Sequence, residues 1–179
     1  MTITLGFALA ILGAVLAIGL AGIGSILGIS RISAAASGLL SKEPKFFVKV
    51  LVFLFLPTSQ AIYGFTVAFL ILNSLGVLAG TPAPLTTDAG LAFLLLGLPV
   101  GILGGVSATL QGAVGVTAVN LIGKQEKLFV QGIIIISGSE LIALFGFLVS
   151  LLGVMFLPVT GATVDPAADA LRFFVGAVM

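Results

Sequence analysis

Four long apolar runs make up most of this 179-residue chain. They cover residues 4–41, 50–80, 90–123 and 128–157, and Arg31 is the one charged residue in the first of them. Each run exceeds the roughly 20 residues that a helix needs to cross the hydrocarbon layer of a membrane. Lipid offers no partners for open backbone groups, and the alternation typical of a membrane barrel is absent. The runs therefore predict an all-α membrane protein with four transmembrane helices.

The scarcity of charge excludes several classes of protein. Only 7% of the residues are charged and 60% are apolar, whereas about a quarter of an ordinary soluble domain is charged. A net charge of +1 provides no basic patch that would bind nucleic acid. The chain has no His and no Cys, which excludes zinc sites built from them, thiol catalysis, disulfides and a Ser-His-Asp triad.

Basic residues concentrate in two of the connections, 42–49 and 124–127. The connection between them, 81–89, contains one acidic residue and two prolines, which is typical of a loop. By the positive-inside rule we expect both basic connections in the cytoplasm and both termini outside. The first run has no basic residue before it and is too long for a signal peptide, so we expect a retained span.

The chain repeats itself at a distance of 82 residues. This shift aligns Lys42 with Lys124 and matches several glycines and phenylalanines without a gap. The pattern indicates a duplicated helical hairpin with both copies in the same orientation. We expect residues 1–80 to form the first hairpin, 81–157 the second, and 158–179 an extension of unknown role.

Small residues form a stripe along the first span and another along the third. Such spacing lets helices approach closely in lipid, where the hydrophobic drive is missing. Spans two and four carry bulky Phe, Leu and Ile, so we expect spans one and three to pack tightly and the other two to face lipid. A compact four-helix bundle is the alternative. The stripes are Ala10, Ala14, Ala17, Ala21, Gly24 and Gly28, then Gly97, Gly101, Gly104, Ala108, Gly112 and Gly115.

One acidic residue lies deep inside a span. Glu140 is thirteen residues beyond Lys127, which places it roughly 20 Å into the fourth span. A charge at that depth costs at least ~2.5 kcal/mol on insertion scales, so an ionisable residue there indicates a function. The alternative is a protonated carboxyl group that only links helices by a hydrogen bond.

Polar groups of the second and third spans lie at a comparable depth. Pro57 cannot donate a backbone hydrogen bond, so we expect the second helix to kink and to loosen neighbouring carbonyl groups. Carboxylate, amide, hydroxyl and carbonyl oxygens together form a set of ligands suited to a hard cation. The polar groups are the carbonyl of Leu56 and the side chains of Ser59, Gln60, Tyr63 and Gln111.

The duplicated hairpin, the glycine-rich odd spans, the single glutamate and the string LPTSQAIYGF at 56–65 resemble the proteolipid of V-type rotary ATPases. The resemblance covers about residues 5–157 and is greatest to the bacterial sodium-pumping branch. It implies that Tyr63 hydrogen-bonds the glutamate, and Ser59 stands where sodium-binding relatives carry Thr. The Na⁺ ligands implied by the resemblance are Glu140, Gln111, Gln60, Ser59 and the carbonyl of Leu56.

The resemblance also implies how such a chain works. Identical protomers form a ring in a bacterial cell membrane, a stator subunit supplies an essential arginine, and a central stalk docks on the cytoplasmic loops. The resemblance also implies that ATP is hydrolysed in a peripheral sector. This chain has no GxxxxGK[ST] phosphate loop, so we expect it to be no enzyme by itself. The alternatives are a proton-translocating ring that binds no Na⁺, a small transporter, and a structural helical protein unrelated to ATPases.

Overall fold

The computed structural model describes residues 4–82 and 84–157, and the regular secondary structure of this part is entirely helical. Short 3₁₀ turns at Pro44–Phe46, Leu56–Thr58 and Glu126–Leu128 precede three of the helices. The six α-helices are α1 (Leu5–Leu40), α2 (Phe47–Phe55), α3 (Ser59–Ser74), α4 (Thr87–Lys124), α5 (Phe129–Ser137) and α6 (Glu140–Phe156).

These helices group into four segments that are long and apolar enough to cross a membrane. Helices α1 and α4 each form one segment alone. Helices α2 and α3 follow each other within Pro44–Ser74, and α5 and α6 within Glu126–Phe156. The prediction of an all-α membrane protein with four transmembrane helices is confirmed for the described residues.

The second span ends earlier than its apolar run predicts. Helix α3 ends at Ser74, whereas the run continues to residue 80. Gly76 and Gly80 have φ angles of +71° and +70°, a left-handed conformation that glycine adopts without steric cost and that ends helices. Hydropathy therefore does not mark this helix end, because the residues after it are as apolar as those before it.

Helices α1 and α4 run parallel and pack closely along their length. A Cβ atom added to Gly13 would lie 2.6 Å from the carbonyl oxygen of Phe93, and one added to Gly105 would lie 2.6 Å from that of Leu20. Only glycine allows the two backbones to come this close. The tightly packed layer predicted for the first and third spans is therefore present.

Each hairpin packs its second helix against its first through a glycine. A Cβ on Gly64 of α3 would lie 2.9 Å from the Cβ of Ala21 in α1, and one on Gly146 of α6 would lie 2.7 Å from the carbonyl oxygen of Pro99 in α4. Gly64 and Gly146 are 82 residues apart in the sequence. Helices α2–α3 and α5–α6 thus form a second layer, with the same glycine contact in both halves.

Both segments of this second layer are broken near their middle. The break between α2 and α3 contains Pro57, where the sequence predicts a kink. The break between α5 and α6 falls at Gly138 and Ser139 and was not predicted. The 82-residue shift places Ser139 opposite Pro57, and a Gly-Ser pair is a known cause of helix kinks. The two breaks bring the polar residues of both segments to the same depth.

Candidate functional site

Glu140 is the first residue of α6, directly after the second break. It is fourteen residues from Glu126 and sixteen from Phe156, so about 21 Å of helix separates it from the start of its span. Its side chain is half-buried. The acidic residue predicted from the sequence therefore lies in the middle of the fourth span.

Three side chains from two other spans donate hydrogen bonds to this carboxylate. The Nε2 atoms of Gln60 and Gln111 lie 2.9 Å and 3.2 Å from Glu140 Oε2. The hydroxyl of Tyr63 donates to Oε1 at 2.8 Å. Such charge-assisted bonds are stronger than bonds between neutral groups. Both oxygens of the carboxylate are therefore held in place by the protein.

The two glutamine amides are also fixed relative to each other. Both side chains are completely buried, and Gln60 Nε2 donates to Gln111 Oε1 at 3.0 Å. Gln111 Nε2 in addition approaches the carbonyl oxygen of Ile136 at 3.4 Å. A buried polar network in which the members are satisfied is rigid and specific. The amides thus link α3, α4 and the helices on either side of the second break.

Neutral oxygens cluster on the α2–α3 side of the site. The Oγ of Ser59 lies 2.9 Å from the carbonyl oxygen of Leu56 and 3.2 Å from Gln60 Oε1. The same carbonyl accepts the backbone N–H of Ser59. Leu56, Ser59 and Glu140 share the wall of an open cavity of ≈ 430 Å³ with Val52 and Phe55. The structure thus brings together all six residues that the sequence singled out.

Two further groups were missed by the sequence reasoning. The hydroxyl of Ser107 in α4 donates to the carbonyl oxygen of Ser139 at 2.7 Å, which pins the helix break beside Glu140. The ring of Phe147 stacks on that of Tyr63, with centroids 4.8 Å apart and planes inclined by 23°. The repeat offered a signal for the helix break at Ser139, because the 82-residue shift aligns this residue with Pro57. Phe147 is one of 14 phenylalanines, and its position in the sequence does not distinguish it from the others.

The end of the molecule that bears the first and third connections carries ion pairs between them. Lys49 Nζ lies 2.6 Å from a carboxylate oxygen of Glu126, and Lys45 lies between Glu43 at 2.9 Å and Glu126 at 3.6 Å. Both lysines also lie over the ring of Phe46. These contacts join the two connections. Among the described residues, the remaining lysines Lys42, Lys124 and Lys127 have no ion pair.

A carboxylate held halfway across the membrane by neighbouring helices, within a duplicated and glycine-packed hairpin, defines an ion-carrying membrane proteolipid. The model of the ATP synthase C-subunit family matches the chain twice, at residues 12–71 and 94–153. The two matches begin 82 residues apart, as the internal repeat does. The chain belongs to the ATP synthase C-subunit family.

Individual relatives agree with this assignment. The chain is 33% identical over 150 residues to the V-type sodium ATPase subunit K of Enterococcus hirae, which covers 84% of this chain and 92% of that protein. It is 32% identical to the A-type ATP synthase subunit K of Methanocaldococcus jannaschii, over 78% of this chain and 59% of the relative. The 16 kDa proteolipid of the V-type proton ATPase of Ascaris suum is 28% identical over 73% of this chain and 79% of its own length. The resemblance to V-type ATPase proteolipids is confirmed.

Proposed function

We propose that this chain is the rotor-ring subunit of a V-type ATPase and that it carries Na⁺ across the membrane. The observation that carries this proposal is the mid-membrane carboxylate of Glu140, which receives bonds from two other spans and lies beside a cluster of neutral oxygens. The chain is a non-catalytic subunit. ATP hydrolysis in the peripheral sector drives the ring.

The Na⁺ ligands in this proposal are five oxygen-bearing groups. Ser59 Oγ lies 2.9 Å and 3.2 Å from its two oxygen neighbours, close to the ~3.4 Å that separates adjacent oxygens around a cation at about 2.4 Å. To bind the ion, the Ser59 hydroxyl only has to turn its proton away from these neighbours. The ligands are Glu140, Gln111, Gln60, Ser59 and the carbonyl of Leu56.

The charge of the site suits a monovalent ion. Across residues 4–82 and 84–157, no three His, Cys, Asp or Glu side chains group together as metal ligands. Glu140 alone supplies negative charge, so one Na⁺ makes the site neutral, whereas a divalent ion would leave a net charge in the bilayer. Neutrality lets the loaded site face lipid as the ring turns. Tyr63 locks the loaded site through its bond to Glu140.

The partners follow from the same mechanism. Identical copies close into a ring, the symmetric arrangement that a rotor requires. A stator subunit with an essential arginine displaces the ion from Glu140 and opens paths to the two sides. The central stalk docks on connections 42–49 and 124–127, where Lys42, Lys124 and Lys127 form no ion pair with any described residue. We place these connections in the cytoplasm and both termini outside the cell membrane.

The duplicated hairpin divides this mechanism between its halves. Residues 1–80 would supply Leu56, Ser59, Gln60 and Tyr63 without a carboxylate, and residues 81–157 would supply the carboxylate. One acid for each pair of hairpins means fewer ions per turn than in a ring of single hairpins with as many helices. A smaller number of ions per turn favours pumping against a steep ion gradient over ATP synthesis. The extension at 158–179 lies outside the described residues.

A proton-translocating ring of the same architecture is the second candidate. One observation favours it: the chain is 28% identical to the proteolipid of the V-type proton ATPase of Ascaris suum. In that case the amides orient the carboxyl group, and protonation neutralises it.

ATP-driven uptake of ²²Na⁺ by inverted membrane vesicles that contain the assembled complex separates these functions. We expect uptake to persist with a protonophore and to be lost in Glu140→Gln. Asp88→Asn is the matched control, because it makes the same chemical change at an exposed acid in the first turn of α4. ATP-driven acidification without Na⁺ uptake would establish the proton ring instead. Ion transport at the wild-type rate by Glu140→Gln would exclude both the sodium ring and the proton ring.

A further inference from the structure

The aromatic stack at the site connects the phenol of Tyr63 to a residue well beyond the carboxylate. Tyr63 donates its hydroxyl to Glu140 and lays its ring against Phe147. We propose that Phe147 is a positioning residue of the site, which holds the Tyr63 hydroxyl on the Glu140 carboxylate and so slows exchange of the bound ion. The proposal rests on the ion-carrying function of Glu140 given above.

The geometry couples the stack to the hydrogen bond. Phe147 follows Glu140 by seven residues on α6, about 10.5 Å along the helix axis. The Tyr63 side chain, which comes from α3, contacts both residues at once. Turning the phenol away from the carboxylate therefore also breaks the stack on Phe147. Whatever stabilises the stack also stabilises the bonded position of the hydroxyl.

The bond that the stack supports has a separate role at the carboxylate. Gln60 and Gln111 both donate to Oε2. Within the described residues, the Tyr63 hydroxyl is the donor to Oε1. Both amides are completely buried, whereas Tyr63 is half-buried and belongs to the accessible side of the site. Of the three donors, Tyr63 is thus the one with room to move when an ion enters or leaves.

Within the described residues of a single chain, the two halves differ in this stack. The 82-residue shift places Phe145 opposite Tyr63 and Phe65 opposite Phe147. These counterparts are 61% and 58% exposed, and Phe65 instead contacts Phe69 on its own helix. Both halves carry aromatic residues at these positions, but the half-buried stack of Tyr63 on Phe147 forms where α3 of the first half meets α6 of the second.

Labelling by dicyclohexylcarbodiimide, which modifies protonated carboxyl groups in apolar surroundings, measures how often Glu140 is released. We expect NaCl, but not KCl, to slow labelling in membranes with the assembled complex. In NaCl, Phe147→Leu should raise the labelling rate about 2- to 12-fold, the range expected from loss of an aromatic pair. Phe147→Tyr, which keeps a ring, should restore the wild-type rate. Phe145→Leu, on the exposed side of α6, should leave it unchanged.

A double-mutant cycle with Tyr63→Phe tests whether Phe147 acts through the hydroxyl. Tyr63→Phe keeps the ring and the stack but removes the hydrogen bond. We expect Phe147→Leu to have no further effect in this background. An equal effect in both backgrounds would show that Phe147 only fills space and would overturn the proposal. Phe147→Met repeats the cycle if Phe147→Leu does not assemble.

The same experiment keeps the two proposals apart. If wild-type labelling is insensitive to Na⁺, the sodium function fails, while the cycle carried out without Na⁺ still decides whether Phe147 and the hydroxyl are coupled. If Na⁺ protects the wild type and the effects of the two substitutions simply multiply, the sodium function stands and the positioning role of Phe147 is wrong.

Discussion

At the scale of single residues, the site combines a carboxylate, which is costly to place inside a membrane, with several neutral hydrogen-bond donors. An unpaired carboxylate in the middle of the bilayer is expensive, and three donors from neighbouring helices reduce that cost at Glu140. The donors are neutral, so they leave the negative charge in place. The residual charge would give the proposed site its affinity for a cation. The neutral donors would stabilise the carboxylate while no cation is bound.

Gln60 is the donor whose removal tests this balance most simply. Gln60→Leu deletes the bonds to Glu140 and to Gln111 and one oxygen of the proposed Na⁺ site. With hydrogen bonds to charged groups, worth about 1.5–3 kcal/mol, as the scale for the lost contact between the Gln60 oxygen and the ion, we expect the Na⁺ concentration for half-protection against dicyclohexylcarbodiimide to rise roughly 10- to 150-fold.

Asn73→Leu is the control for this substitution. It removes an amide from the same helix, at an exposed position away from Glu140. It should leave protection unchanged. An unaltered half-protection concentration in Gln60→Leu would remove this residue from the ligand set.

At the scale of elements, the two helix breaks and the glycine-packed pair of helices shape the site. The break at Pro57 was predicted, since proline removes a backbone donor. The break at Ser139 is held by the hydroxyl of Ser107. Ser25, which the repeat aligns with Ser107, is 3% exposed and has no partner for its hydroxyl in the described structure. Ser107 and Ser25 therefore occupy equivalent positions in the repeat but differ in whether a described residue accepts their hydroxyl.

Substituting both serines separates a pinning bond from ordinary packing. Ser107→Ala should cost about 1 kcal/mol and speed amide hydrogen exchange in the first turn of α6, near Glu140. Ser25→Ala removes a hydroxyl that has no hydrogen-bond partner among the described residues and should be neutral or stabilising. Equal exchange profiles in the two variants would show that the Ser107 bond does not hold the break.

The contact between α1 and α4 can be tested with two glycines. Gly105→Ala places a Cβ atom 2.6 Å from the backbone oxygen of Leu20, so we expect a loss of about 1–3 kcal/mol and a lower midpoint of thermal unfolding in detergent. A Cβ on Gly38 meets nothing within 4 Å. Gly38→Ala should therefore raise the midpoint through its better helix propensity. The reverse order would contradict the described packing.

The elements and the site differ in how far the sequence predicts them. Glu140 and Gln111 stand out because a polar residue within an apolar span is costly and therefore indicates a partner or a function. The end of α3 at Ser74 does not stand out, because it depends on the backbone conformation of Gly76 within an apolar run. Phe147 does not stand out either, since its role depends on which ring it meets. A polar residue in an apolar span can be recognised from the sequence alone. Apolar contacts and helix ends can be predicted only when the packing of the helices is known.

At the scale of the whole molecule, the repeat and the distribution of lysines predict the orientation. Parallel duplication places the first and third connections at the same end, where ion pairs join them. By the positive-inside rule we expect that end to face the cytoplasm. The family assignment agrees with the repeat, but the orientation rests on the lysines alone.

The absence of native cysteines makes this orientation directly testable. Lys124→Cys and Thr81→Cys each introduce a single thiol at opposite ends of the molecule, both at exposed positions. In inverted vesicles washed free of the peripheral sector, an impermeant maleimide should label Lys124→Cys and spare Thr81→Cys. The opposite pattern would contradict the orientation proposed for the connections and the termini.

Equilibrium binding of ²²Na⁺ to the purified ring measures directly whether Glu140 holds the ion. We expect one exchangeable Na⁺ per chain in the wild type and none in Glu140→Gln, with wild-type binding retained in Asp88→Asn. Binding that survives in Glu140→Gln, or a wild-type ring that binds no Na⁺ at neutral pH, would contradict a sodium site at this carboxylate.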